Sequence, residues 1–553
     1  MTVQTPDMPH KRRADGPRVL GVLALVVAGI CALPMLAVAM AAFSGGTDTV
    51  QHLISTVLGR YTLTTLALVV MVAIGTFGLG VGAAWLVTMT RFPGVRFFEI
   101  ALVLPLAFPA YVLAYAYTSV LDHPGIVQTL LRDVTGWGPR DYWFPDIRSL
   151  GGAALMLILV LYPYVYLLSR AAFLQQSGTT FLAARALGSS AWAAFFKVSL
   201  PLARPAIAGG VLLAVMETIA DFGTVAYFGV QTFATGIYTS WFALYDRAGA
   251  AQLALCLLSF ALLLAMLERA QRGRAKYHDT ARRAQAMPPI ELTGGHAGFA
   301  VLACAVPVIL GAVLPIVILF TMGLGSEQNL LSPRYLGFIR NSVTLAGVAA
   351  VVTVAAAIAV GFFRRMRPGK TSSSATYVAR LGYAVPGGVI AVGLMVPFAA
   401  FDNALDAWMR ETFDISTGLL ITGSIWLLVA AYMVRFLAAA LGAYEGGQAM
   451  VHDNMDAASR SLGTTPIGTL RRVHLPILAP SLLTALLIVF VDVMKELPAT
   501  LIMRPFNYDT LAVQAYRLAS DERLDGAAVP SLVIVAMGLL PVILICRQVG
   551  RQR

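Results

Sequence analysis

The sequence predicts an all-α polytopic membrane protein: about twelve transmembrane helices as two parallel six-helix repeats, with the N- and C-termini cytoplasmic. Three observations predict it. The 553 residues are 58% hydrophobic and only 12% charged, with a mean hydropathy of +0.76, outside the range of soluble globular chains. Twelve apolar runs are long enough, at roughly 20 helical residues each, to cross about 30 Å of hydrocarbon. A polar stretch at 182–207, LAARALGSSAWAAFFKVSLPLARPAI, returns 275 residues later as AASRSLGTTPIGTLRRVHLPILAPSL at 457–482.

In chain order the runs centre on 19–43, 61–89, 97–120, 149–169, 205–230 and 248–267, then on 297–322, 341–363, 381–401, 417–434, 477–503 and 527–546. They are long and continuous, and a spanning helix satisfies its own backbone in lipid, so helices rather than strands are required. The first run follows Lys11, Arg12 and Arg13 and contains Ala37-Val38-Ala39, as a signal peptide would. It is longer than a signal core of about 7–15 residues and has a counterpart at 297–322, so it reads as a retained span. The expected division is a cytoplasmic tail at 1–18, a first half at 19–267, a basic cytoplasmic linker at 268–296, a second half at 297–546 and a tail at 547–553. Cys31, Cys256, Cys304 and Cys546 lie in or at the edge of spans without metal-ligand or redox spacing, and read as lipid-facing or packing residues.

Charge sets the orientation. With a cytoplasmic N-terminus, the inside segments carry 28 of the 40 Lys and Arg residues and the outside segments 11, with Lys495 left inside a span. This bias also accounts for the net charge of +12 without nucleic acid as a partner: basic groups such as Arg269, Arg272, Arg274, Lys276, Arg282 and Arg283 fall between spans six and seven.

The repeat extends beyond the polar stretch. Thr65-Leu66-Ala67 returns as Thr344-Leu345-Ala346, Arg91-Phe92-Pro93-Gly94 is echoed by Arg367-Pro368-Gly369, and Phe108-Pro109-Ala110 by Val385-Pro386-Gly387. Six spans per half is an even number, so both halves enter and leave on one side and the duplication is parallel, with a single path expected between the halves. Both copies of the polar stretch fall between the fourth and fifth span of their half, on the cytoplasmic side. Gly188 and Gly463 supply a turn between two short helical pieces, the small residues permit close approach of another backbone, and a proline starts the next helix.

The shared pattern, Gly, nine residues, Val, one residue, Leu-Pro, resembles the EAA motif, E-A-A-x3-G-x9-I-x-L-P, of permease subunits of binding-protein-dependent ABC importers. The resemblance covers nearly the whole chain. It implies that each loop carries a short coupling helix that docks into a groove of an ATPase subunit, through Ala183, Ala184, Gly188, Leu200 and Pro201 in one copy and Ala458, Gly463, Leu475 and Pro476 in the other. The motif glutamate is replaced by Leu182 and Ala457, with Asp456 one residue earlier in the second copy. The resemblance further implies two copies of a cytoplasmic ATPase, a periplasmic or lipid-anchored substrate-binding protein, and a place in the lipid of a bacterial inner membrane. Pro368-Gly369-Lys370-Thr371-Ser372 lacks the first glycine of a phosphate-binding loop, since Arg364 stands there, and it has no strand-to-helix context. ATP and Mg are therefore expected on the partner ATPase, with no cofactor on this chain and no chemical step catalysed by it.

Within the spans, interior ionisable residues are expected only in the fifth, at Glu217 and Asp221, and the eleventh, at Asp492, Lys495 and Glu496. The offset of 275 maps Glu217 onto Asp492 and Asp221 onto Glu496, giving two i, i+4 pairs, each on one helix face. A carboxylate in hydrocarbon costs several kcal/mol, so these groups should face the bundle interior or a watery path. Two readings stay open: interhelical hydrogen bonding with a salt bridge to Lys495, or the lining of a cation path, whose hard oxygen donors suit a hard metal cation such as ferric iron. The runs METIADFGTVAYFGV at 216–230, DVMKELPAT at 492–500 and FNYDTLA at 506–512 resemble the ferric-iron branch of these permeases, in which two halves are fused. The implied function is import of ferric iron; thiamine or another small cation, or an ion-coupled secondary transporter, are the alternatives. No HExxH, GxSxG or His cluster supports an intramembrane enzyme.

Overall fold

Proline marks the start of several helices, while others run through an internal proline or charge. The computed structural model describes residues 18–44, 51–176, 178–274, 290–326, 328–329 and 331–551. Most of the N-terminal tail, the linker residues 275–289 with Lys276, Arg282 and Arg283, and the side chain of Cys546 lie outside the described residues. The spans are named here α1 (Arg18–Ser44), α2 (Gly59–Met89), α3 (Ala110–Leu121), α4 (Leu150–Gln175), α5 (Leu200–Ala220) and α6 (Arg247–Arg274). The second set is α7 (Gly294–Leu324), α8 (Pro333–Met366), α9 (Gly387–Phe413), α10 (Ile425–Gln448), α11 (Leu475–Met494) and α12 (Leu524–Arg551). Among the described residues eleven helices are long and apolar enough to cross a membrane, or twelve when Val95–Ala107 and Ala110–Thr135, bent by 92°, count as one span.

Three outlines differ from the expected runs. α3 and α9 begin at Ala110 and Gly387 rather than at 97 and 381, because Pro109 and Pro386 stand at their N-caps, where a missing N–H is harmless. The residues before them form separate short helices, Val95–Ala101 and Lys370–Leu381. α5 and α11 stop at Ala220 and Met494, and the chain resumes as the short helices Gly223–Tyr227 and Pro498–Met503. α10 runs on to Gln448, which puts Arg435 inside a spanning helix instead of after it.

The two halves pack alike: α2 lies on α4, α8 lies on α10, and α5 and α11 close each set. Their first helices are exchanged. α1 packs on α8 and α9 of the second half as well as on α6, while α7 packs against α3 of the first half and α12. The α1–α9 approach is so close that a methyl group at Gly393 would overlap the Pro34 carbonyl. Large apolar residues such as Leu63, Ile74 and Val351 face outward and Ala, Val and Tyr fill the interior, the distribution expected where lipid is the solvent. Cys31 and Cys304 are buried packing residues, and Cys256 is exposed. A two-residue parallel pairing, Thr90 with Ile290 and Arg91 with Glu291, ties the start of the second half to the exit of α2.

Candidate path between the halves and the repeated loops

Each repeated loop joins the C-terminal end of α4 or α10 to the N-terminal end of α5 or α11, and that end of the bundle is called the loop end below. The loops fold as short helices, Gly178–Ala186 and Asp453–Ser461, each closed by a glycine in the left-handed region, Gly188 at φ 87° and Gly463 at φ 75°. The closing hydrogen bonds match: Ser189 N–H donates to Ala184 O at 3.1 Å and Thr464 N–H to Ser459 O at 3.2 Å. No atom lies within 4 Å of a Cβ built on either glycine, so within the chain it is the backbone angle and not a close approach that requires glycine. A π-helical turn follows in both copies, Phe195–Ser199 and Leu470–His474, directly before Leu200-Pro201 and Leu475-Pro476. Proline has no N–H to return to the fourth carbonyl before it and crowds that carbonyl, and the wider turn relieves both problems.

Of the motif residues, Ala183, Gly188, Ala458, Gly463 and Pro476 are exposed, and Ala184, Leu200, Pro201 and Leu475 are half-buried. Four more residues belong with them. Leu187 is 87% exposed and its repeat mate Leu462 82%, and Trp192 and Ile467, also matched, are exposed beside them. Their signal in the sequence is an apolar pair recurring at the same offset inside a polar loop. The underside of each short helix is anchored differently. Asp456 accepts from Arg365 Nε at 2.7 Å and lies 2.7 Å from His474 Nε2, joining its helix to α8 and to the turn before α11. Burial alone would raise the Asp456 carboxyl, but hydrogen bonds from His474 and Arg365 hold it below the usual aspartate range. The matched position in the first half is Phe181, which packs on Trp85 (ring centroids 5.9 Å apart), itself against Phe195 at 4.3 Å.

The four expected acids all line the space between the halves, with distinct partners. Asp221 and Glu496 stand past the ends of α5 and α11 and cap the short helices that follow. Asp221 accepts from Thr224 N–H (3.1 Å), Val225 N–H (3.2 Å) and the Thr224 hydroxyl (3.1 Å). Glu496 accepts from Ala499 N–H (2.8 Å), Thr500 N–H (3.1 Å) and the Thr500 hydroxyl (2.7 Å). The expectation of i, i+4 pairs on one continuous helix face therefore fails, because each helix breaks before its second acid. Asp492 pairs with Lys495 at 2.9 Å, as the salt-bridge reading required. Glu217 lies 3.7 Å from Arg435 of α10, which also lies 3.8 Å from Glu496. Ionisable residues are thus not confined to the fifth and eleventh spans. Glu99 and Arg170, paired at 3.0 Å near the loop end, are further exceptions. Among the described residues no three His, Cys, Asp or Glu side chains gather as a metal-holding group; the acids are spread along the path.

Two cavities meet at these residues. One of 370 Å³ runs from Glu217, Asp492 and Lys495 past Tyr164 to Arg96 and Arg170 at the loop end. The other, 110 Å³, lies between the same acids and Phe108, Tyr111, Phe222 and Pro498 at the helix breaks. Beyond it the halves touch directly: the Tyr238 hydroxyl donates to Pro498 O of the second half, and Phe222 of the first half stacks on the Tyr238 ring with centroids 3.7 Å apart.

Residues 76–277 and 352–550 each match the family described as binding-protein-dependent transport system inner membrane component. The chain belongs to that family. It is therefore a multi-pass inner-membrane permease component built from two fused copies of the family's unit. Among its relatives, the Fe(3+)-transport system permease protein FbpB 2 of Haemophilus influenzae is 26% identical over 93% of this chain and 95% of its own length. The ferric transport system permease protein FbpB of Actinobacillus pleuropneumoniae is 23% identical over 79% of this chain and 63% of its own. The molybdenum transport system permease protein ModB of Escherichia coli is 29% identical over 34% of this chain and 81% of its own.

At the end of the permease away from the loops, a second ionic contact joins the halves. Arg148 Nη1 and Nη2 donate to the two carboxylate oxygens of Glu522 at 2.6 and 2.8 Å, and Nε donates to Asp122 at 3.0 Å. The guanidinium also lies 5.2 Å from the Tyr227 ring centroid.

Proposed function

We propose that this permease is the membrane subunit of an ATP-driven importer that moves ferric iron from a binding protein into the cytoplasm. The observation that carries the reading is the acid-lined path at the seam of two fused halves, in a chain aligned over nearly its full length with a ferric-transport permease. The positive-inside bias makes the loop end cytoplasmic, so both termini are cytoplasmic too. Two ATPase subunits, carrying ATP and Mg, then dock on the helices closed by Gly188 and Gly463, with Leu187, Trp192, Leu462 and Ile467 as apolar contacts. The binding protein docks at the opposite face.

In the conformation described, the path from the acids leads to the loop end and the far end is closed by Tyr238, Phe222 and the Arg148–Glu522 pair. This is an inward-facing state. Closure of the ATPases on ATP draws the two loops together and opens the far end to the binding protein; hydrolysis returns the halves. The permease supplies orientation and a route rather than a chemical step. Uptake of radiolabelled iron by proteoliposomes holding the permease, an ATPase and a loaded binding protein tests this reading. Uptake should need all three and ATP. Iron-independent ATPase stimulation with uptake of a different cargo, or uptake driven by an ion gradient without ATP, would sink it.

A further inference from the structure

The four acids of the proposed cargo path differ in how far they are already committed. Asp221 and Glu496 spend their oxygens on backbone N–H groups and threonine hydroxyls at 2.7–3.2 Å, and Asp492 is held by Lys495 at 2.9 Å. Glu217 is held loosely. Its neighbours are the Tyr383 hydroxyl at 3.5 Å and Arg435 Nη2 at 3.7 Å, at or beyond the limit of a hydrogen bond, and its side chain lines both cavities. Arg435 is equally loose, 3.7 Å from Glu217 and 3.8 Å from Glu496, and its buried Nη1 makes no hydrogen bond among the described residues. The repeat does not duplicate it, because Val160 stands at the matched position of α4.

We propose that Glu217 is the acid that takes the cargo cation and that Arg435 is its exchangeable counter-ion, which only a multivalent cation displaces. This rests on the importer reading above and adds the residue that sets charge selectivity. A guanidinium tethered beside Glu217 supplies one positive charge at no cost of association. A monovalent ion gains no more Coulomb energy at that carboxylate and must be dehydrated and localised as well, so it loses the competition. A trivalent ion at the same distance gains about three times the attraction, and this gain, with the hard oxygens of Glu217 and Tyr383 and the water the ion keeps in the cavity, offsets its larger cost of dehydration. Arg435 is not stranded when displaced, since Glu496 remains beside it.

Terbium(III) is a suitable probe, being a hard trivalent ion whose emission is sensitised by nearby tyrosine, here Tyr383 and Tyr164. The intact permease in zwitterionic nanodiscs should bind Tb³⁺, with Ga³⁺ competing strongly, Mn²⁺ weakly and K⁺ not at all. Glu217→Gln should weaken Tb³⁺ binding by about tenfold or more, while Arg435→Gln should keep it and let Mn²⁺ compete at about tenfold lower concentration. Glu217→Asp and Arg435→Lys, which keep charge, should stay near wild type and control for folding. Unchanged Tb³⁺ affinity in Glu217→Gln overturns the cargo ligand, and an unchanged Tb³⁺ to Mn²⁺ ratio in Arg435→Gln overturns the counter-ion. Iron uptake by the complete importer, measured alongside, separates the two levels. A wild-type importer that moves no iron yet binds Tb³⁺ through Glu217 removes the ferric reading alone. Iron uptake with both Tb³⁺ binding and the Mn²⁺ competition indifferent to the two variants removes the Glu217–Arg435 proposal and leaves the importer reading standing.

Discussion

Asp221 and Glu496 each close one helix and open the next, and a carboxylate in that position is worth what its backbone donors would lose without it. Replacing either by alanine leaves two buried N–H groups unpaired, at about 1–3 kcal/mol each. Asp221→Ala and Glu496→Ala should therefore lower the thermal midpoint in nanodiscs clearly, and Asp221→Asn, which keeps one acceptor oxygen, much less. If Asp221→Asn keeps its midpoint and loses transport, the charge itself serves the path. The acids are legible in the sequence as a matched set, because a repeat offset of 275 pairs them. Their separate roles are not, since a cap is defined by where a helix stops, and an apolar run does not announce that α5 ends at Ala220. Arg435 is hidden for a related reason. It stands one residue past the apolar run 417–434, and a reading that ends a span at its first charge leaves it outside, although the helix continues to Gln448.

The repeated loops show the same device anchored in two ways. The left-handed glycine is common to both, and a residue with a Cβ at φ near 80° costs roughly 1–2 kcal/mol. Gly188→Ala and Gly463→Ala should each fray the short helix and weaken pull-down of the ATPase to a similar degree, with asparagine milder than alanine. Equal ATPase capture by the double alanine variant would show that the turn is dispensable. The anchors beneath are not equivalent. Asp456 titrates below the usual aspartate range, so its ion pair stabilises the second loop at neutral pH, and that stabilisation is lost as pH falls through the depressed value. The difference in thermal midpoint between wild type and Asp456→Asn should accordingly be present at pH 7 and vanish well below about pH 4. Phe181→Leu, in the aromatic anchor of the first loop, should give a difference that does not depend on pH. The loops are legible in glycine and Leu-Pro spacing; the ionic anchor is not, because Arg365, Asp456 and His474 are scattered over three elements and meet only in the fold.

At the scale of the molecule, the span count and the parallel duplication follow from apolar run length and an even number of runs per half. The exchange of α1 and α7 between halves does not, because lipid-facing helices carry no pattern that names their neighbour. Among the described residues, ions join the halves at Glu217–Arg435 beside the path and at Arg148–Glu522 at the end away from the loops. In the second, a strained backbone and an ion pair coincide. Glu522 sits at φ 57°, a left-handed backbone that a glutamate adopts at a cost of roughly 1–2 kcal/mol, and it is held there by a two-pronged pair with Arg148. Hydrogen bonding to Arg148 holds the Glu522 carboxyl below the usual glutamate range, so the pair is intact at neutral pH and is lost on acidification through that value. Because Glu522 is largely solvent-exposed, the pair contributes little to stability, and its loss should change the balance of conformations more than the folding. Arg148→Glu should thus raise ATPase activity in the absence of binding protein, with the thermal midpoint nearly unchanged. Arg148→Glu combined with Glu522→Arg should restore dependence on the binding protein. A bifunctional methanethiosulfonate bridging cysteines at 148 and 522, which spans the reach of the two side chains it replaces, should stop transport until it is reduced. If the reversed-charge single variant keeps wild-type basal activity, or the cross-linked permease still transports, the contact is a surface ion pair and the far end closes on its aromatic residues alone.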